Sequence, residues 1–174
     1  VWSDGEPFTA DDVMHTYLFY TSPSFAESGG SVNRANLNKT YKGWDAFEAA
    51  MTADDYDPEA KDDKGNPLPV TWDWAKLDAA LADFDGLKKL DDYTVEFNFE
   101  EVEFSTWTSF ELRYILAAHY YSPNGIDAVD VKNRLIDKPM GSGPYVMTEY
   151  VEGQHVKFEV NPLYKGNFRG KTPQ

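Results

Sequence analysis

A chain of 174 residues, 41% hydrophobic and 26% charged, has the balance of one ordinary globular domain or two small ones, with enough core to fold without metal or disulfide staples. Thirty acidic against 16 basic residues leave a net charge of −14, which repels phosphate backbones and anionic membrane surfaces and argues against nucleic acid as a partner. The absence of cysteine removes disulfide scaffolds, thiolate zinc sites and thiol nucleophiles together. No stretch approaches the roughly 18 apolar residues of a membrane span, so no direct membrane insertion is expected.

In chain order, Trp2-Ser3-Asp4-Gly5 is a turn signal and Pro7-Phe8-Thr9 leads into a helix. Thr9 is placed to cap it, with Asp12 completing a capping box and Phe8 and Val13 spaced for a hydrophobic staple. Val13, Tyr17 and Tyr20 continue at helical spacing until Pro23 ends the run, and residues 24–40 read as a loop. Trp44, Phe47 and Met51 mark a second, short helix. Residues 54–69 read as a polar, solvated excursion with a turn at Lys64-Gly65-Asn66-Pro67. A third helix carries Trp74, Leu77, Leu81 and Phe84 on one face, with Gly86 as its C-cap.

A hairpin is expected at 87–99, its second strand alternating Tyr93, Val95, Phe97 and Phe99 with polar residues. Phe104 to Leu116 reads as helical, with Trp107, Phe110 and Tyr114 on one side. A turn at Pro123-Asn124-Gly125 and a short helix-like stretch lead to Pro139-Met140-Gly141-Ser142-Gly143-Pro144-Tyr145, and a second hairpin spans 145–160. Helices and hairpins interleaved in this irregular way predict an α+β fold rather than a doubly wound parallel sheet.

Few constellations carry chemistry. Gly141 and Gly143 lack the third glycine and following helix of a nucleotide loop, and a turn with positive φ entering a strand is the expectation there. His15, His119 and His155 have no neighbouring ligands at metal spacing. The acidic run from Asp54 to Asp63 lacks the glycine and the terminal Glu of a calcium loop. There is no nucleophile elbow and no serine in a recognisable catalytic setting, so binding rather than catalysis is expected, with no cofactor and no metal. Aromatics at 16% exceed what one core of this size needs. Trp2, Trp44, Trp72, Trp74 and Trp107 are candidates for a groove that stacks sugars or packs peptide side chains, or for core and an interdomain face.

Several of these segments resemble one family. Trp2 to Val13 resembles the "WSDGxPFTAxDV" segment of family 5 bacterial extracellular solute-binding proteins, the oligopeptide-, dipeptide- and nickel-binding components of ABC importers. Pro139 to Tyr145 is similar to the family's "PxGTGPY" with Ser142 for Thr, and Asn161-Pro162-Leu163-Tyr164 to its "NPxYW" with Lys165 for Trp. Leu90 to Val95 resembles a "lddyTv" hairpin, and Ala118-His119 echoes a weaker "PKH" element. The chain opens at Val1 inside a motif and both ends read as cuts, so a fragment is expected.

The resemblance implies a piece of a two-lobed, periplasmic-binding-protein-like fold (type II, cluster C). Residues 1–138 would be the helix-rich subdomain inserted in the first lobe, 139–174 a segment of that lobe's sheet, and the second lobe would be absent. It further implies capture of a peptide, nickel complex or sugar, with peptide favoured, and an ABC permease as partner. The location would be extracytoplasmic, in the periplasm or on the cell surface as a lipoprotein. Trp2, Asp4, Gly5, Gly141, Gly143, Pro144 and Tyr145 then stand as scaffold, with Phe25, in the loop after the first helix, as the ligand contact. The competing reading is a carbohydrate-binding module of a secreted hydrolase, with a glycosidase third. Apolar surface made for an absent lobe is expected to be exposed.

Overall fold

The computed structural model describes residues 1–27, 40–102, 106, 114–128, 138–167 and 169–171. Within them the chain forms α1 (Ala10–Thr21), α2 (Pro23–Glu27), α3 (Trp44–Met51), α4 (Leu77–Ala82), β1 (Leu87–Asp91), β2 (Thr94–Phe97), α5 (Ala118–Tyr121), β3 (Tyr145–Val151) and β4 (His155–Val160). Short 3-10 turns at Trp74–Lys76 and Ile126–Ala128 complete the order. Helices and two separate antiparallel hairpins make this α+β. The expected positions of Phe104, Trp107 and Phe110 lie outside the described residues, as do 28–39 of the expected loop. Among the described residues no helix is long and apolar enough to cross a membrane.

The capping box at Thr9 forms as its residues dictate: the Asp12 carboxylate accepts the Thr9 N–H at 2.9 Å. The next orphan donor, Ala10 N–H, is satisfied by Asp92 O in the first hairpin turn at 2.8 Å. The helix departs from expectation in its faces. Thr16, Tyr17, Leu18 and Phe19 are buried in succession, which one apolar stripe cannot do. Tyr17 and Leu18 enter a large core with Val13 and Met14, whereas Phe19 and Tyr20 enter a smaller one. Of the expected staple pair, Phe8 packs on the smaller cluster and Val13 on the larger, while both line one recess with Tyr93 and Val95. Pro23 does end α1, but it also opens α2, where a missing N–H at the first position is harmless.

The larger core gathers Tyr41, Trp44, Phe47, Met51, Trp72, Ala80, Phe84 and Leu87 around α1. Trp44, Phe47 and Met51 are all buried, as their spacing predicts. Phe47 stacks on Phe84 with ring centroids 4.4 Å apart and meets Trp72 edge-on at 5.7 Å. The groove suggested by the tryptophans is therefore largely filled core: Trp2, Trp44 and Trp72 are buried, and Trp74 packs against Trp72 at 5.5 Å.

Gly86 is not a C-cap. Asp83 holds that position, and φ at Gly86 is not positive. It is needed for space, because a Cβ there would lie 2.6 Å from the Phe84 ring and 2.8 Å from Tyr41 Cβ. Gly141 and Gly143 contradict expectation too: neither has positive φ, and a Cβ on Gly143 meets nothing within 4 Å. Gly86→Ala should therefore cost about 1–3 kcal/mol by overpacking, and Gly143→Ala less than about 0.5 kcal/mol. Urea unfolding of the two variants checks this; equal losses would contradict it.

In the first hairpin Leu87 pairs with Phe97 and Lys89 with Val95, with a bulge before Asp91–Thr94. Val95, Phe97 and Phe99 pack on the larger core, but Tyr93 lies in the turn and is 79% exposed. Lys89 ties this hairpin to α1 through Asp11 at 2.8 Å. In the excursion, Asp62 accepts the N–H groups of Lys64 and Asn66 and the Asn66 side chain, and Asp57 accepts that of Glu59. Those carboxylates order their own exposed loop. In the second hairpin the pairs Tyr145–Val160, Met147–Phe158 and Tyr150–Val156 put six apolar side chains on one face. Five of them are exposed, so the aromatic excess reaches the surface as Tyr and Phe here.

Candidate functional site

The first turn of α1 organises the site. Asp12 is 5% exposed, and its Oδ2 accepts both the Thr9 N–H and the indole N–H of Trp2 at 3.1 Å, while Oδ1 accepts the Ala118 N–H at 2.9 Å. One carboxylate thus joins the opening turn, the helix start and α5. One turn on, Thr16 Oγ1 donates to Asp12 O and accepts from Leu116 N–H at 2.8 Å. Trp2 is 2% exposed, with its ring 4.7 Å from Phe8. Gly5 has φ of +102° and closes the Trp2–Gly5 turn with its N–H on Trp2 O, a conformation that L side chains avoid.

Asp4 accepts the Glu6 N–H and meets His119 Nε2 at 2.7 Å. Partial burial alone would raise its carboxyl, but the bonds from His119 and Glu6 outweigh that and hold it below the usual carboxylate range.

The glycine segment joins the same junction through its backbone. Ser3 N–H donates to Gly141 O at 2.9 Å, and the Tyr121 hydroxyl accepts from Met140 N–H at 2.9 Å. Buried Asn161 then fastens the end of the second hairpin: its N–H reaches Pro144 O and its amide reaches Gly143 O, each at 2.9 Å. Tyr145, beside them, starts β3 and is 48% exposed. The segments 2–13, 118–121, 139–145 and 161–164 therefore meet in one place. Sequence reasoning missed the Asp12 and Asn161 contacts, because a capping residue does not announce what its second oxygen holds.

Phe25 lies on α2 at the edge of the smaller cluster, half-buried, edge-on to Phe19 at 5.3 Å and to Tyr20 at 4.9 Å. Half-buried Tyr20, Tyr120 and Met140 belong to the same cluster. Elsewhere on the chain, a recess of about 620 Å³ opens between α3 and α4, lined by Ala46, Ala50, Ala79 and Ala80 with Lys76 and Asp83 among its walls.

One pair resembles hydrolytic machinery. His15 Nε2 and Ser122 Oγ are 2.7 Å apart, a contact that the linear sequence does not reveal. Among the described residues the third member of a triad is lacking, since His15 Nδ1 is closed off without a partner and the Asp12 oxygens are taken by three N–H groups. Among the described residues no group of three or more His, Asp or Glu is placed to hold a metal ion.

A family model described as bacterial extracellular solute-binding proteins, family 5 Middle, matches residues 1–174. The chain belongs to this family. Its role is therefore solute binding in ABC import, its location is extracytoplasmic, and the family fold is two-lobed. No curated protein and no solved structure gives a match. Within family 5, the junction around Asp12 and Asn161 is where this chain's motif segments are assembled.

Proposed function

We propose that the protein captures a peptide between two closing lobes and delivers it to an ABC permease, either in the periplasm or as a surface lipoprotein. Closure over a ligand supplies affinity by burying it and presents one shape to the transporter. The single observation that carries this reading is the convergence of the family's separate motif segments on one hydrogen-bonded junction. Trp2, Asp4, Gly5, Gly141, Gly143, Pro144 and Tyr145 act as its scaffold, and their main-chain and buried contacts favour positioning over ligand recognition. Residues 1–138 form the helix-rich unit and 139–174 the sheet segment in this division.

Phe25 is the ligand contact in this reading, supported by its half-buried place at the edge of the smaller aromatic cluster. A carbohydrate-binding module is the weaker alternative, since three of the five tryptophans are spent in the cores.

Thermal shift of the complete gene product against pools of short peptides, oligosaccharides and nickel chelates tests the reading. A stabiliser at 100 times its dissociation constant adds about 2.7 kcal/mol. Peptides are expected to raise Tm, and Phe25→Ala to weaken their binding about tenfold, roughly 1.4 kcal/mol. A response to sugars alone would overturn the peptide assignment.

A further inference from the structure

Asp12, His15 and Thr16 share one stretch of α1, and all three reach the 114–122 segment. Two of these ties, from Asp12 and Thr16, end on backbone N–H groups. The third, between His15 Nε2 and Ser122 Oγ at 2.7 Å, belongs to a group that titrates near neutral pH. We propose that His15 is an acid-sensitive latch: the neutral imidazole holds α1 to the 114–122 segment, and protonation loosens that hold and with it the motif junction. The latch stands apart from the identity of the captured solute, and an extracytoplasmic protein meets pH that the cytoplasm does not buffer.

The geometry supplies the mechanism. A neutral imidazole offers one donor and one acceptor; with its proton on Nε2, donated to the Ser122 hydroxyl, the enclosed Nδ1 is a bare acceptor and no N–H is stranded. The imidazolium carries protons on both nitrogens. Its Nδ1–H would then lie where solvent does not reach and where, among the described residues, no acceptor waits. Ser122 is itself buried, so the pair has little room to turn toward water.

Among the described residues, the charged group acting on His15 is Asp12, one turn back on its own helix. Burial lowers the His15 imidazole below the ordinary histidine value, and the Asp12 carboxylate only partly offsets this. Other described titratable groups on α5 and the first hairpin are engaged elsewhere. On α5, His119 meets Asp4, Tyr120 donates to Lys138 O, and Tyr121 bonds Met140. On the first hairpin, Lys89 pairs with Asp11 and Asp92, and Glu96 accepts from Asn98.

Because the folded value is depressed, the His15 contribution is fully present above about pH 6.5 and is lost as pH falls through the histidine range. The slope is at most tenfold in the opening equilibrium per pH unit.

Two measurements on this chain test the latch between pH 7.5 and 5. Proton NMR resolves the titrations of His15, His119 and His155. Amide exchange reports opening at Leu116, Ala118 and Ser122. Expected are a His15 titration below the ordinary value and a several-fold loss of protection at acidic pH. His15→Gln, which keeps a donor for Ser122 and every carboxylate, should remove that loss. A His15 titration at or above the ordinary value would overturn the latch, as would His15→Gln with the native pH dependence. Should His15→Gln fail to fold, the native titration and exchange decide alone.

Discussion

Asp12→Ala is expected to destabilise the protein by about 3–5 kcal/mol. The substitution strands the N–H groups of Trp2, Thr9 and Ala118, and each buried donor left without a partner costs about 1–3 kcal/mol. Backbone relaxation at Thr9, near the surface, keeps the sum below the maximum. For a chain of this length each kcal/mol lowers Tm by about 2–4 °C, so a fall of roughly 6–20 °C follows. Asp12→Asn should lose less. Its amide oxygen at the Oδ2 position keeps the bonds from Trp2 and Thr9, while its NH₂ opposes the Ala118 N–H alone. Calorimetric melting of both variants checks the order. An Asp12→Ala protein within 1 kcal/mol of the native one would show that the junction is not held by this carboxylate.

Phe47→Ala is expected to cost about 3–5 kcal/mol, through lost apolar burial and an unfilled cavity. Phe47 is 2% exposed and touches Phe84, Trp72 and Trp44 at once, at centroid distances of 4.4, 5.7 and 5.4 Å. Phe47→Leu keeps much of the volume and should cost less than about 1.5 kcal/mol. Denaturant unfolding followed by tryptophan fluorescence reads both, because Trp44 and Trp72 flank the site. Equal losses for the two variants would place Phe47 outside the packed centre.

These two residues also mark what the sequence could reveal. Phe47 was legible: with Trp44 and Met51 it repeats at helical spacing, and local periodicity decides which face is buried. Asp12 was legible only as a capping residue, because a capping box is local and the partners Trp2 and Ala118 are set by tertiary packing. The same limit explains α1, whose burial on two sides erases the single stripe that a periodicity reading seeks. It explains the glycines as well. Gly86 serves close packing against Phe84 and Tyr41, which no local pattern encodes, and Gly141 and Gly143 lend carbonyls where positive φ was expected.

The motif segments at 2–13, 139–145 and 161–164 could each be read along the chain. That they share one junction required the fold. The His15–Ser122 contact was the least legible of all, because 107 residues separate partners that carry no spacing signal.

Binding is the claim on which the functional account rests, and native mass spectrometry of the complete gene product with a pool of short peptides tests it most directly. One peptide bound per protein, retained as a discrete mass increment and weakened by Phe25→Ala, is the predicted result. A protein whose mass is unchanged by every peptide while oligosaccharides add to it would contradict the peptide-capture account.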